Sequence, residues 1–140
     1  MLTCKEWQQF ALDKQLEFLG EGIEKTVYAL NKHTVLKLGR INDGQCNHEA
    51  KYWDNASPRI RKHLAKVFCH GDGWSIQERA DKTFGQLLRE EGFDRWYETS
   101  PRYQKAKEQI RRSTGSMFID LHADNIGVFG DKLKLIDYGI

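Results

Sequence analysis

The sequence predicts an α+β fold, with an antiparallel sheet in the first half of the chain and helices in the second. Short apolar runs broken by turn residues fill Leu16 to Leu38 and return at residues 65–78. Residues 83–114 then turn helical and highly charged, and a small hairpin pattern closes the 140-residue chain. At 39% hydrophobic and 30% charged, the composition suits a globular chain that buries a core without a disulfide or metal. The length fits one domain, or two small lobes sharing a cleft.

Thr3 and Glu6 have capping-box spacing, and Trp7, Phe10, Ala11 and Leu16 follow at roughly helical intervals, so a short helix is expected first. "LEFLGEGIEKTVYALNKHTVLKLG" reads as three strands, turning at "EGIEK" and at "NKHT". "NDGQCNHEAKYWDNAS" begins with turn residues and then places Ala50 and Trp53 on a helical face. "PRIRKHL" is a further short helical piece. "AKVFCHGDGWSIQE" reads as strand, Gly-Asp-Gly turn and strand, the pattern of a hairpin. "KTFGQLLREEGFDRWYE" and "PRYQKAKEQIRRS" are helical, with "TSP" between them and Gly115 ending the second. "FIDLHADN" is a loop; "IGVFG" and "LKLID" are strands joined at "DK". Residues 79–82 are the expected boundary between two lobes.

Several function classes are excluded or disfavoured by the totals. A net charge of +2 is too small to imply nucleic acid by itself. No run of eighteen apolar residues exists to cross a membrane. "MLTCKEWQQF" lacks the basic-then-apolar layout of an export signal, and Cys4, Cys46 and Cys69 cannot all pair within one chain. Both points indicate a reducing cytoplasm. Cys46, His48, Cys69 and His70 have poor spacing for zinc, because adjacent Cys69 and His70 chelate badly and no C-x-x-C is present. "RIRK" and "QIRRS" read as solvated basic helix faces, with an acidic partner as the alternative.

One set of residues points to chemistry. A nucleotide with Mg²⁺ needs backbone amides around its phosphates, a cation on them, and oxygen ligands for the metal. Gly20 and Gly22 lie between two expected strands, where backbone can approach phosphate closely. Lys37 sits in the apolar strand "VLKL", where a buried ammonium needs an acidic partner or a ligand; Glu49 on the next helix is the natural one. Asp120, Asn125 five residues later, and Asp137 twelve beyond that supply a base and metal ligands. Each feature has an ordinary reading as well: turn glycines, a lysine snorkelling to water, Asx residues capping turns.

The ordered set resembles the protein-kinase-like superfamily. "LGEGIEKTVYAL" is similar to its Gly-rich loop, Lys37 to its strand lysine, and Glu49 to its helix glutamate. "DLHADN" resembles the catalytic loop, and "DYG" the metal-binding triplet. The resemblance covers roughly residues 16–139. It implies a minimal two-lobed fold: an antiparallel first lobe over 1–78, a hinge at 79–82, and a reduced helical lobe over 83–140 ending at D-Y-G. It implies ATP and Mg²⁺ as cofactors, with Asp120 accepting or orienting the proton of the attacking hydroxyl. Lys37, fixed by Glu49, would hold the α and β phosphates; Asn125 and Asp137 would hold Mg²⁺; His122 would lie near the γ-phosphate. Gly20, Glu21, Gly22, Lys25 and Val27 would line the nucleotide. Adenine would meet backbone near Glu78 and Ala80, with Gln77 at the back of its pocket.

The sequence also departs from that family. Lys25 replaces the third loop glycine, where it offers a phosphate contact instead. Phe118 and Ile119 replace the His and Arg before the catalytic Asp, which removes control by a phosphorylated activation segment. One residue follows Gly139, so the activation segment and helical substrate platform of the family are not in this sequence. Leu87, Leu88, Phe93, Trp96, Tyr97, Tyr103 and Ile110 must then pack on each other, on the hairpin or on another molecule; a homodimer through the exposed face of helices 83–114 follows as an expectation. Compact kinase-like proteins of the kind bacteriophages encode are the nearest comparison, which would put the chain in a host cytoplasm. The expected activity is ATP–Mg²⁺-dependent transfer to a protein Ser or Thr, its own included. Transfer to a small molecule, and a pseudokinase-like module that binds a host or partner protein, remain the alternatives; neither nucleic acid nor a membrane is an expected partner.

Overall fold

The computed structural model describes residues 2–21, 25–39, 48–92, 100–114 and 122–138. They form an α+β structure whose larger sheet has five antiparallel strands. The chain divides into two compact units, Met1–Asp54 with Lys66–Arg79, and Asn55–Ala65 with Ala80–Ile140. Segment 55–65, which the sequence assigns to the first lobe, is therefore counted with the second unit. Among the described residues, no helix is long and apolar enough to cross a membrane.

In the first unit, helix α1 spans Cys4–Asp13 and opens on the expected capping box: Thr3 Oγ1 accepts from Glu6 N, and Thr3 N donates to Glu6 Oε1. Strands β1 (Glu17–Glu21), β2 (Lys25–Ala29) and β3 (Thr34–Gly39) follow, then helix α2 (His48–Asn55). The short helix α3 (Pro58–Arg61) belongs to the second unit, and the hairpin of β4 (Val67–Gly71) and β5 (Trp74–Glu78) completes the sheet of the first. The sheet order is β1-β2-β3-β5-β4. At the β2–β3 turn, Asn31 Oδ1 accepts from His33 N and Thr34 N, which is why "NKHT" turns there. Between β4 and β5, Gly73 takes φ 81, a conformation side-chain-bearing residues avoid. The "EGIEK" turn and the start of the expected helix at 42–47 lie largely outside the described residues.

Register divides this sheet into two unlike faces. Tyr28 pairs with Leu36 and Leu36 with Ile76, while Leu38 pairs with Trp74. Directly opposed residues share a face. Leu36, Leu38 and Trp74 thus make an apolar surface, on which Cys4 and Trp7 of α1 pack together with Leu16, Leu30 and Ile76. The Trp7 and Trp74 rings lie 5.4 Å apart. Burying each such leucine contributes about 1.5–3 kcal/mol. Val27, Lys37 and Ser75 are opposed in turn on the other face, as are Ala29, Val35, Gln77 and Val67. One side of the sheet is thereby anchored by α1, and the polar side carries the groups of interest.

The second unit has a three-stranded antiparallel sheet, β6 (Lys82–Thr83), β7 (Ile126–Phe129) and β8 (Lys132–Leu135), with helices α4 (Phe84–Glu90) and α5 (Pro101–Thr114). Strand β6 was not anticipated from the sequence. Thr83 also caps α4 reciprocally with Gln86. The sequence pattern carried this helix on toward Glu98, but α4 stops at Glu90: Glu91 caps it and Gly92 turns the chain at φ 95. Phe84, Leu88, Tyr103, Ala106, Ile110, Ile126 and Leu135 are buried. Leu88, Tyr103 and Ile110, expected to pack on each other, on the hairpin or on another molecule, are covered within the chain, and Leu87 is half-buried. Phe93, Trp96, Tyr97 and Gly115 lie outside the described residues.

Segment 55–65 joins this unit through backbone bonds. Ala65 N donates to Leu135 O at 2.7 Å and Leu135 N to His63 O at 2.8 Å, and Tyr138 Oη donates to Ala65 O. Burial holds the His63 imidazole below its ordinary pKa, with the charge of Lys62 acting the same way, and Nε2 has no hydrogen-bond partner among the described residues. A depressed folded pKa means the unfolded chain binds the proton more readily. The stability this contributes is complete above about pH 6.5 and is lost as pH falls through the lowered value. Urea midpoints measured from about pH 7.5 to about pH 5 should therefore fall, and His63→Leu should flatten that part of the curve.

Candidate functional site

In the first unit the expected lysine and glutamate meet. Lys37 on β3 and Glu49 on α2 are both buried, at 8% and 4% exposure, and Lys37 Nζ lies 2.7 Å from Glu49 Oε1. Burying either group without a partner would be costly, and here each partners the other. Lys25 at the start of β2 joins them, its Nζ 3.2 Å from Glu49 Oε2. One carboxylate thus holds two ammonium groups, which lie together on the polar face of the sheet. The sequence placed Lys25 at the nucleotide but did not anticipate its bond to Glu49. The signal available was its alternation with Val27 on β2, directly opposite Lys37.

The other expected binding residues of this unit line the same strands. Val27 is half-buried and opposite Lys37. Gly20 is half-buried on β1, and a Cβ built there meets nothing within 4 Å, so packing does not require the glycine. Glu21 ends β1 and is exposed. Gly22 lies outside the described residues. Gln77 on β5 is 1% exposed, and neither its Nε2 nor its Oε1 has a hydrogen-bond partner among the described residues. Burying an unsatisfied polar group costs about 1–3 kcal/mol, so this amide is an expensive choice between Val35 and Val67. Register puts Gln77 on the face that bears Lys37, on the neighbouring strand. Glu78 is half-buried; its N donates to Lys66 O at 2.8 Å, and its Oε1 accepts from Lys66 N.

The second unit holds the remainder. Ala80, half-buried, belongs to it rather than to the unit that contains Glu78. His122 is exposed and caps a 3₁₀ turn, Ala123–Asn125, that leads into β7. Asn125 N donates to His122 O, and Ile136 N donates to Asn125 O at 2.9 Å. With Ile126 paired to Leu135, that bond continues the β7–β8 ladder outward, so half-buried Asn125 and exposed Asp137 stand at the same end of the hairpin. Asp124 ties the turn to α4, 3.6 Å from Arg89 and 3.5 Å from Thr83 Oγ1. A Cβ on Gly85 would collide with the Asp124 carboxylate, so this close approach requires a glycine. Asp120 lies outside the described residues.

These groups fit a magnesium nucleotide in kind. Two ammonium groups suit phosphate, and Asn125 and Asp137 offer the hard oxygen donors that Mg²⁺ prefers. Among the described residues, no three His, Cys, Asp or Glu side chains are grouped to hold a metal alone. Mg²⁺ is ordinarily held by one or two carboxylates together with substrate phosphates and water. No protein-family model matches the chain, and no curated protein matches it.

Removing one partner of the buried pair should cost more than removing both. Glu49→Leu should destabilise the fold by about 3–5 kcal/mol, because the Lys37 ammonium stays buried without that carboxylate. Lys37→Met added to Glu49→Leu should recover most of the loss. Urea unfolding of the wild type, both single variants and the double variant checks this.

Proposed function

We propose that the chain is an ATP–Mg²⁺-dependent phosphotransferase with a minimal two-lobed, protein-kinase-like fold. Its acceptor is a protein Ser or Thr hydroxyl, its own included. The observation that carries the reading is the buried Lys37–Glu49 pair with Lys25 on the same carboxylate, the two lysines on one face of an antiparallel sheet and Glu49 on α2. Ammonium groups so placed suit the phosphates of a nucleotide. Asn125 and Asp137 at one hairpin end support the metal half of the reading.

In this reading Lys37, held by Glu49, binds the α and β phosphates, and Lys25 adds a second cation beside them. Asn125 and Asp137 hold the metal, which neutralises charge on the phosphate oxygens when bound. Asp120 orients the acceptor hydroxyl and takes its proton. The hydroxyl oxygen forms a bond to the γ-phosphorus as the bond to the bridging oxygen of ADP breaks.

The test is transfer from γ-labelled ATP with Mg²⁺, using pure protein alone and then in a cell lysate. Label should appear on this chain or on a lysate protein. Asp120→Ala should reduce it by about 10²–10⁴-fold, the span expected for loss of a positioned acid–base group. No label under either condition, or equal label from a folded Asp120→Ala variant, would overturn the assignment.

A further inference from the structure

Charge is distributed unevenly over the second unit. Of the 22 basic residues in the chain, eight fall within segments 55–65 and 100–114, against one of the 20 acids, Glu108. The remainder of the chain is therefore net acidic. These segments carry α3 and α5, which pack against each other. Helix α5 buries Tyr103, Ala106, Ile110 and Thr114 along one side. At 100° per residue, Lys105 and Arg112 project from the opposite side, with Lys107 and Arg111 on a flank.

Two carboxylates among the described residues pair with cations of α5. Glu108 pairs with Arg112 at 3.1 Å, and Glu91 with Arg102 at 2.6 Å. Arg59, Lys62, Lys105, Lys107 and Arg111 have no carboxylate partner among the described residues. Lys107 Nζ is held 5.6 Å from the centre of the Tyr103 ring. Lys107 and Arg111 are like charges at i,i+4, and the first turn contains Arg102 and no acid, while Arg111 and Arg112 in the last turn complement the helix dipole.

We propose that the α3–α5 face docks an acidic segment of a partner protein. Helix α5 is about 21 Å long, so the face matches a segment of modest length. Neither helix exposes an aromatic ring on which unpaired bases could stack, because Tyr103 is buried. Glu108 within the face also suits a protein surface of mixed charge better than an unbroken row of phosphates. The inference is independent of nucleotide chemistry.

The test is fluorescence anisotropy of a labelled polyglutamate peptide of about 20 residues with the full chain, at low salt and at about 0.3 M salt. Binding should be saturable and should weaken with salt. The triple variant K105E/K107E/R111E should weaken it at least about tenfold, whereas K5E/K14E/K32E on the first unit should change it less than about twofold. Should the reversed variant fail to fold by circular dichroism, Lys105→Gln, Lys107→Gln and Arg111→Gln together provide the reading, with a loss in the same direction. Absence of peptide binding would overturn the proposal, as would equal losses in the two reversed triples, since net charge alone would then be responsible. Tighter binding of a duplex DNA of matched charge would also overturn it, by making nucleic acid the better partner.

Discussion

A carboxylate shared by two ammonium groups on the inner face of a sheet constrains most of the first unit. Glu49, at 4% exposure, needs polar partners, and Lys37 and Lys25 supply two of them. That requirement fixes three things together: the register of β2 against β3, which opposes Val27 to Lys37; the position of α2, which delivers Glu49; and the assignment of faces across the sheet. A slip of one residue would send Lys37 to the side where Leu36, Leu38 and Trp74 meet α1, with no carboxylate to receive it. The apolar face resists the same slip from the other direction. Stability and site geometry therefore rest on one alternation of residues.

This arrangement is costly in ways a purely structural sheet would avoid. A buried ion pair rarely stabilises more than well-packed apolar residues of the same volume would, and an unsatisfied glutamine amide on the same face adds a further penalty. Polar groups kept under such conditions are explained most simply by a ligand that uses them. The second unit has a comparable economy at its hairpin end, where a 3₁₀ turn tied to α4 by Asp124 presents Asn125 alongside the chain leading to Asp137. The two lysines and Glu49 lie in one unit, and Asn125 and Asp137 in the other.

Much of this was legible in the sequence where the physics is local. The Thr3–Glu6 box, the Asn31 turn and the Gly-Asp-Gly hairpin depend on neighbours within four residues. The partnership of Lys37 with Glu49 was legible for a different reason: a lysine in an apolar strand must be neutralised, and few acids are near. The bond from Lys25 to the same carboxylate depends on strand register, which no single residue announces. Strand β6 has two residues, too few for any period to mark. The membership of 55–65 in the second unit rests on backbone bonds between His63, Ala65 and Leu135, some seventy positions apart, and those groups are identical in every residue. The end of α4 was misjudged because charged residues beyond Gly92 continued a helical pattern past a glycine that breaks it.

The central claim is the proposal that the Lys37–Glu49 pair and Lys25 serve a magnesium nucleotide. Its most direct test is backbone amide NMR during titration with ATP and Mg²⁺. The account predicts saturable shifts at Gly20, Lys37 and Glu78 that are diminished when Mg²⁺ is withheld. No shift at these residues at saturating nucleotide would contradict it.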